Sequence, residues 1–139
     1  MIYSFAGNPI NTIVVTAMFE VYTSVNNSAK ILEIGLCNPY ASSNSESLVG
    51  MPDAAGSGPI VPNPLISEED LSFSMTQVAQ AWTTAPTAPS VYFRRVFLQG
   101  STGYVLTFPR GAHIPPSMSL VVWMLTPQAV QPFWVVIDE

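Results

Sequence analysis

The chain has 139 residues, the size of one domain, with hydrophobic residues at 48% and charged residues at only 9%, against a charged share of roughly 25% in ordinary soluble domains. Nine acidic residues against four basic ones, Lys30, Arg94, Arg95 and Arg110, give a formal net charge of -5; no basic stripe exists to neutralise a phosphate backbone, which argues against nucleic acid as a partner. The single cysteine, Cys37, excludes an intramolecular disulfide framework and a Cys-rich metal site, and no apolar run approaches the roughly 18 residues of a membrane span.

Hydrophobic alternation with a period of two dominates the chain, and no stretch shows convincing helical spacing. From Ile13 to Thr23, Val15, Ala17, Phe19 and Val21 share one face, while Thr16, Glu20 and Tyr22 belong to the other, the pattern of a half-buried strand. After Asn26, Asn27 and Ser28 the pattern resumes at Leu32, Ile34 and Leu36, so a hairpin is expected between the two. Cys37 follows as a small core hydrophobe.

From Asn38 to Asp70 the alternation lapses. This stretch carries prolines at 39, 52, 59, 62 and 64 and a Ser/Asn/Gly-rich centre, and it far exceeds ordinary loop lengths of about 4 to 6 residues. It reads as one long irregular excursion, either flexible or docked on a neighbour. The docked arm is the expectation carried forward, because Tyr40, Leu48, Met51 and Ile60 among its apolar residues need something to pack on. Those four residues are candidates for an interface with another subunit or another protein.

Leu71 to Thr76 alternates again and continues extended toward Trp82, and further strands are expected at Val91 to Gln99, Tyr104 to Phe108, Ser119 to Thr126 and Phe133 to Asp138. Turn chemistry at Gly100-Ser101-Thr102-Gly103, Pro115-Pro116 and Thr126-Pro127 separates them. Seven or eight strands with no helix indicate a single all-β sandwich or barrel domain over residues 1–139. The strands from Ser119 and from Phe133 are apolar on both faces, so their second face must be covered by the long loop or by another subunit. Trp123 and Trp134 join the interface candidates on that ground.

Reactive chemistry is sparse. His113 is the only histidine, and the chain has neither a His cluster for a metal, nor a G-x-S-x-G elbow, nor a phosphate-binding Gly-rich loop; no enzyme activity, cofactor or metal is expected. Alternation sends the Arg94 and Arg95 side chains to opposite faces. An inward guanidinium requires a carboxylate, for which Glu20 and Glu33 are the candidates, and the outward one is free to meet an acidic group on another chain. Trp82, Trp123 and Trp134 could form a sugar-stacking platform, although strand positions favour packing.

Ala29-Lys30-Ile31-Leu32-Glu33-Ile34-Gly35-Leu36, Ala81-Trp82-Thr83-Thr84-Ala85-Pro86-Thr87-Ala88-Pro89, Tyr92-Phe93-Arg94-Arg95, the stretch Tyr104 to Gly111 with Ile114-Pro115-Pro116, and the closing Trp134-Val135-Val136-Ile137-Asp138-Glu139 resemble recurrent features of the small jelly-roll decoration, or cement, proteins of tailed-phage capsids. The resemblance covers most of the chain from about Thr16 onward, excepting the Asn38 to Asp70 region. It implies a jelly-roll-like antiparallel β-sandwich and a homotrimer on the capsid surface of the virion. It further implies a non-enzymatic protein, made in the host cytoplasm, that binds the assembled major capsid protein lattice and stabilises it. The alternative is a tail- or fibre-associated β-sandwich adhesion module that binds a receptor or glycan. Neither reading involves a membrane or nucleic acid.

Overall fold

Alternating β-branched and aromatic residues fit a pleated surface, and they become strand throughout the chain. The computed structural model describes residues 1–7, 17–59, 62–126 and 131–139. These hold β1 (Ile2–Gly7), β2 (Ala17–Tyr22), β3 (Ala29–Asn38), β4 (Ser45–Gly50), β5 (Ser57–Pro59), β6 (Asn63–Ser67), β7 (Phe73–Ala79), β8 (Trp82–Thr84), β9 (Tyr92–Leu98), β10 (Thr102–Ile114), β11 (Ser119–Met124) and β12 (Phe133–Asp138). No helix occurs among the described residues. Ile13, Val15 and Thr16 of the first expected strand, Ile60 of the interface candidates, and Pro127 lie outside them.

Ten strands join in one antiparallel sheet in the order β10-β3-β12-β1-β6-β7-β2-β11-β4-β9, while β5 and β8 pair by themselves. The long sheet folds back on itself. Phe19 of β2 stacks on Phe133 of β12 with ring centroids 4.0 Å apart, and Phe93 of β9 meets Phe108 of β10 edge-on at 5.7 Å. One layer is therefore β10-β3-β12-β1 and the other β7-β2-β11-β4-β9, with β6 at the corner. Successive strands alternate between layers, β2 to β3 to β4 and again β10 to β11 to β12, and the second run inserts β11 between β2 and β4. This interleaving makes the sandwich jelly-roll-like, as the sequence led us to expect. Fully buried Met18, Phe19, Ile31, Ile34, Leu36, Val49, Leu65, Met124, Val135 and Ile137 fill the space between the layers.

Three features differ from the sequence reading. The hairpin expected around Asn26-Asn27-Ser28 does not form: β2 pairs with β7 and β11, whereas β3 pairs with β10 and β12. The turn instead carries the chain from one layer to the other, closed by the Ser24 amide donating to Asn27 Oδ1 at 2.7 Å. Alternation has the same period whether neighbouring strands pair or face each other across a core, so it does not separate the two cases. Cys37 is half-buried rather than in the core.

The third difference is the irregular loop, which is largely strand. β4, β5 and β6 all lie between Asn38 and Asp70, and with β1 and the separate β8 they raise the count from the expected seven or eight to twelve among the described residues. Pro59 ends β5, and Pro64 sits where the β6–β7 register shifts before Ile66. Both are positions where a missing amide hydrogen does little harm to a ladder.

One cross-strand pair ties two of the recognisable motifs together. Gly35 of β3 lies opposite Trp134 of β12, and a Cβ at Gly35 would fall 2.1 Å from the indole. The ring covers the bare backbone, an arrangement known to rescue a glycine in a sheet, and Trp134 Nε1 donates to Glu33 Oε1 at 2.6 Å. Gly35→Ala is expected to lift the indole and break that hydrogen bond at a cost of about 1–3 kcal/mol, read by denaturant unfolding together with a shift in tryptophan emission. An unchanged midpoint and spectrum would contradict this packing.

Candidate interaction surfaces

Strands β9 and β10 are the two ends of the long sheet, so among the described residues each has one hydrogen-bonded neighbour and one free edge. The folded sheet brings these edges together without a ladder between them. Arg94 lies in the seam, its guanidinium 5.5 Å from the Phe108 centroid and 5.9 Å from that of Phe93, within cation–π range, and it donates to the Phe93 carbonyl at 2.8 Å. On the opposite face Arg95 Nε donates to Glu46 Oε1 on β4, and this hydrogen bond is the foremost cause of a raised Arg95 pKa. A bulge in β10 between Thr107 and Ala112, where Gly111 takes a φ of 74°, frees Arg110 from the ladder. Between the strands is a cavity of about 450 Å³ lined by Arg94–Phe97 and Tyr104–Thr107. Beyond it an apolar cavity of about 540 Å³ opens under Met51, Val91, Phe93, Ile114 and Leu120, with His113 and Asp53 on its wall. Asp53 accepts the Ser90 amide and hydroxyl, and these bonds hold its carboxyl below the usual aspartate pKa.

The sequence-based pairing of Arg94 or Arg95 with Glu20 or Glu33 is not found. The arginines stand in the exposed first half of an edge strand, before it enters the core at Val96 and Leu98, while both glutamates are engaged elsewhere. Glu33 accepts from Trp134. Glu20, only 2% exposed, accepts from Trp82 Nε1 at 3.2 Å, the Gly56 amide at 3.2 Å and Ser119 Oγ at 2.8 Å. These bonds pin the β5–β8 flap over β2 and β11. The flap is held from the other side by Thr87, whose amide donates to the Ala54 carbonyl at 3.0 Å and whose hydroxyl accepts the Ala54 amide at 2.7 Å. Burial and then the charge of Glu20 raise the pKa of the neighbouring Tyr22. Part of the supposed loop thus covers the second face of β11, whereas the outer face of β12 stays open.

That open face forms the second surface. A groove of about 680 Å³ runs over Ser4, Ala6, Trp134 and Val136 between Glu33 and Glu68, with Trp134 36% exposed. It leads to the β6–β7 corner, where Ile66 and its cross-strand partner Phe73 point outward with Leu71 and Met75, beside exposed Glu68, Glu69 and Asp70.

The interface candidates from the sequence do not share one surface. Met51 is 55% exposed beside the apolar cavity, and Trp134 lies on the groove. Trp123 is half-buried on the outer face of β11 opposite Leu48, and Tyr40 is half-buried in the turn after β3. Leu48 is a correction: it lies on the outer face of β4 between Trp123 and Arg95, and at 6% exposure it is already covered by this chain. The seam was missed, although a clue was present in the run Val91 to Leu98, which is apolar on both faces yet carries two arginines. Among the described residues no three His, Cys, Asp or Glu side chains converge as a metal site. No protein-family model matches the chain, and no curated protein matches it.

Proposed function

We propose that the protein is a virion structural protein of a tailed phage, a capsid decoration protein that works by binding alone as a homo-oligomer, with a trimer as the expected state. The observation that carries the reading is the distribution of apolar side chains. A sandwich whose core is already filled still exposes Phe73, Phe97, Tyr104 and Trp134 on its outer faces and edges, in a chain with only 9% charged residues. Such surface belongs against other protein. The resemblance of the motifs around Gly35, Trp82, Arg94 and Trp134 supplies the particular partner, the major capsid protein.

The mechanism is thermodynamic linkage. A protein that engages the assembled lattice and not the free subunits adds its binding free energy to the intact shell, and several contacts per oligomer multiply the effect. Purified protein mixed with expanded shells is expected to cosediment with them and raise their disassembly temperature, while free capsid subunits do not retain it. Labelling of intact virions should show hundreds of copies on the head; a handful at the tail tip, with glycan binding, would replace this reading by the adhesion module.

A further inference from the structure

We infer that the β9–β10 seam and the β6–β7 corner are the two halves of one head-to-tail contact between copies of this chain. The large apolar side chains left exposed among the described residues gather mainly in two places. At the seam, Val91, Tyr92, Phe93, Phe97, Tyr104 and Val105 are 40–82% exposed; around the corner and groove, Ile66, Leu71, Phe73, Met75 and Trp134 are 36–74% exposed.

The two places carry opposite charge. Three of the four basic residues of the chain, Arg94, Arg95 and Arg110, belong to the seam strands. Arg95 is paired with Glu46, and the Asp53 carboxylate, kept ionised by Ser90, stands in the neighbouring cavity; Arg94 and Arg110 have no carboxylate within 4.0 Å among the described residues. The corner presents Glu68, Glu69 and Asp70, with Glu33 across the groove. Lys30 is on β3, at the register position of Asp138, and not at the corner.

Their placement excludes a contact within one chain. β6 and β7 are the fifth and sixth strands of ten, whereas β10 and β9 are the first and last; folding the sheet until its ends meet puts its middle on the far side. A two-fold contact that matches either surface with itself sets like charges together, so complementary surfaces on opposite sides join copies heterologously, into a ring if the rotation closes. The groove suits this partner chemically: an arginine laid on Trp134 between Glu33 and Glu68 combines cation–π and ionic attraction. This contact rests on the homo-oligomer of the proposed function and names its surfaces; capsid binding is read separately, by cosedimentation with shells.

The test is a charge swap followed by sedimentation velocity without capsids, with near-UV circular dichroism to verify folding. The wild-type protein is expected to associate, and more weakly as salt rises. Arg94→Glu with Arg110→Glu, and separately Glu68→Lys with Glu69→Lys, should each weaken association by at least about tenfold. An equimolar mixture of the two variants should regain the contact as mixed dimers or even-numbered assemblies, because each seam then finds a corner of opposite charge only on the other variant and a ring of three cannot alternate. A wild-type monomer at about 50 µM, association indifferent to salt, variants that associate normally, or a mixture that stays monomeric would each overturn the contact. Should either variant misfold, the salt dependence of the wild-type protein decides alone.

Discussion

Replacing residues 41–64 by a short Gly/Ser linker is expected to unfold the protein. The segment contains all of β4 and β5 and the first residues of β6. β4 joins β11 to β9, and β9 has no other neighbour in the sheet. Val49 is fully buried and Leu48 nearly so, and excision also strips the Gly56 amide from Glu20. Each lost core side chain alone is worth about 2–3 kcal/mol, against a total stability of about 5–15 kcal/mol for a domain. Near-UV circular dichroism and urea titration should show no cooperative transition. A shortened chain that melts cooperatively with native spectra would mean that the strand is dispensable and the sequence-based picture of a detachable arm is the better one.

Glu20→Ala is expected to be the most damaging single substitution at the flap. It removes the acceptor shared by Trp82 Nε1, the Gly56 amide and Ser119 Oγ, leaving one buried and two part-buried donors without a partner, at a cost of about 2–4 kcal/mol in denaturant unfolding. Glu20→Gln keeps one acceptor oxygen and should cost about half as much. The pKa of Tyr22, raised by burial and then by the Glu20 charge, should fall in Glu20→Ala. Amides of β5 and β8 should exchange faster. A loss under about 1 kcal/mol with flap protection intact would show that the carboxylate does not hold the flap.

The class of fold was legible because alternation is a local property: Phe73–Ala79, Tyr92–Leu98 and Phe133–Asp138 are strands close to where their patterns placed them. Topology was not, because Leu32, Ile34 and Leu36 alternate identically whether β3 lies beside β2 or across the core from it. β4 escaped notice for a related reason. Ser45, Ser47 and Gly50 occupy positions that turn inward or into a crowded ladder, yet small polar residues read as loop; Ser45 and Ser47 are almost fully buried, and a Cβ at Gly50 would lie 2.8 Å from the Val91 carbonyl. The candidate surfaces were half-visible. Trp134 and Met51 were singled out as interface candidates, but bringing the arginines of β9 beside β10 requires the closure of a sheet whose two ends are known only once every strand is placed.

The order of strands also constrains when this chain can acquire its structure. β12, formed by the final residues of the sequence, sits between β1 and β3, and β11 between β2 and β4. Neither layer has a continuous interior until those two strands arrive. An amino-terminal fragment emerging from the ribosome therefore holds unpaired edges separated by missing neighbours, and most native pairings, such as Ile2 with Asp138, join residues far apart in sequence. Loop-closure entropy must be met before such contacts contribute, so folding is expected only once β11 and β12 are available to pair, on a timescale of about milliseconds to seconds.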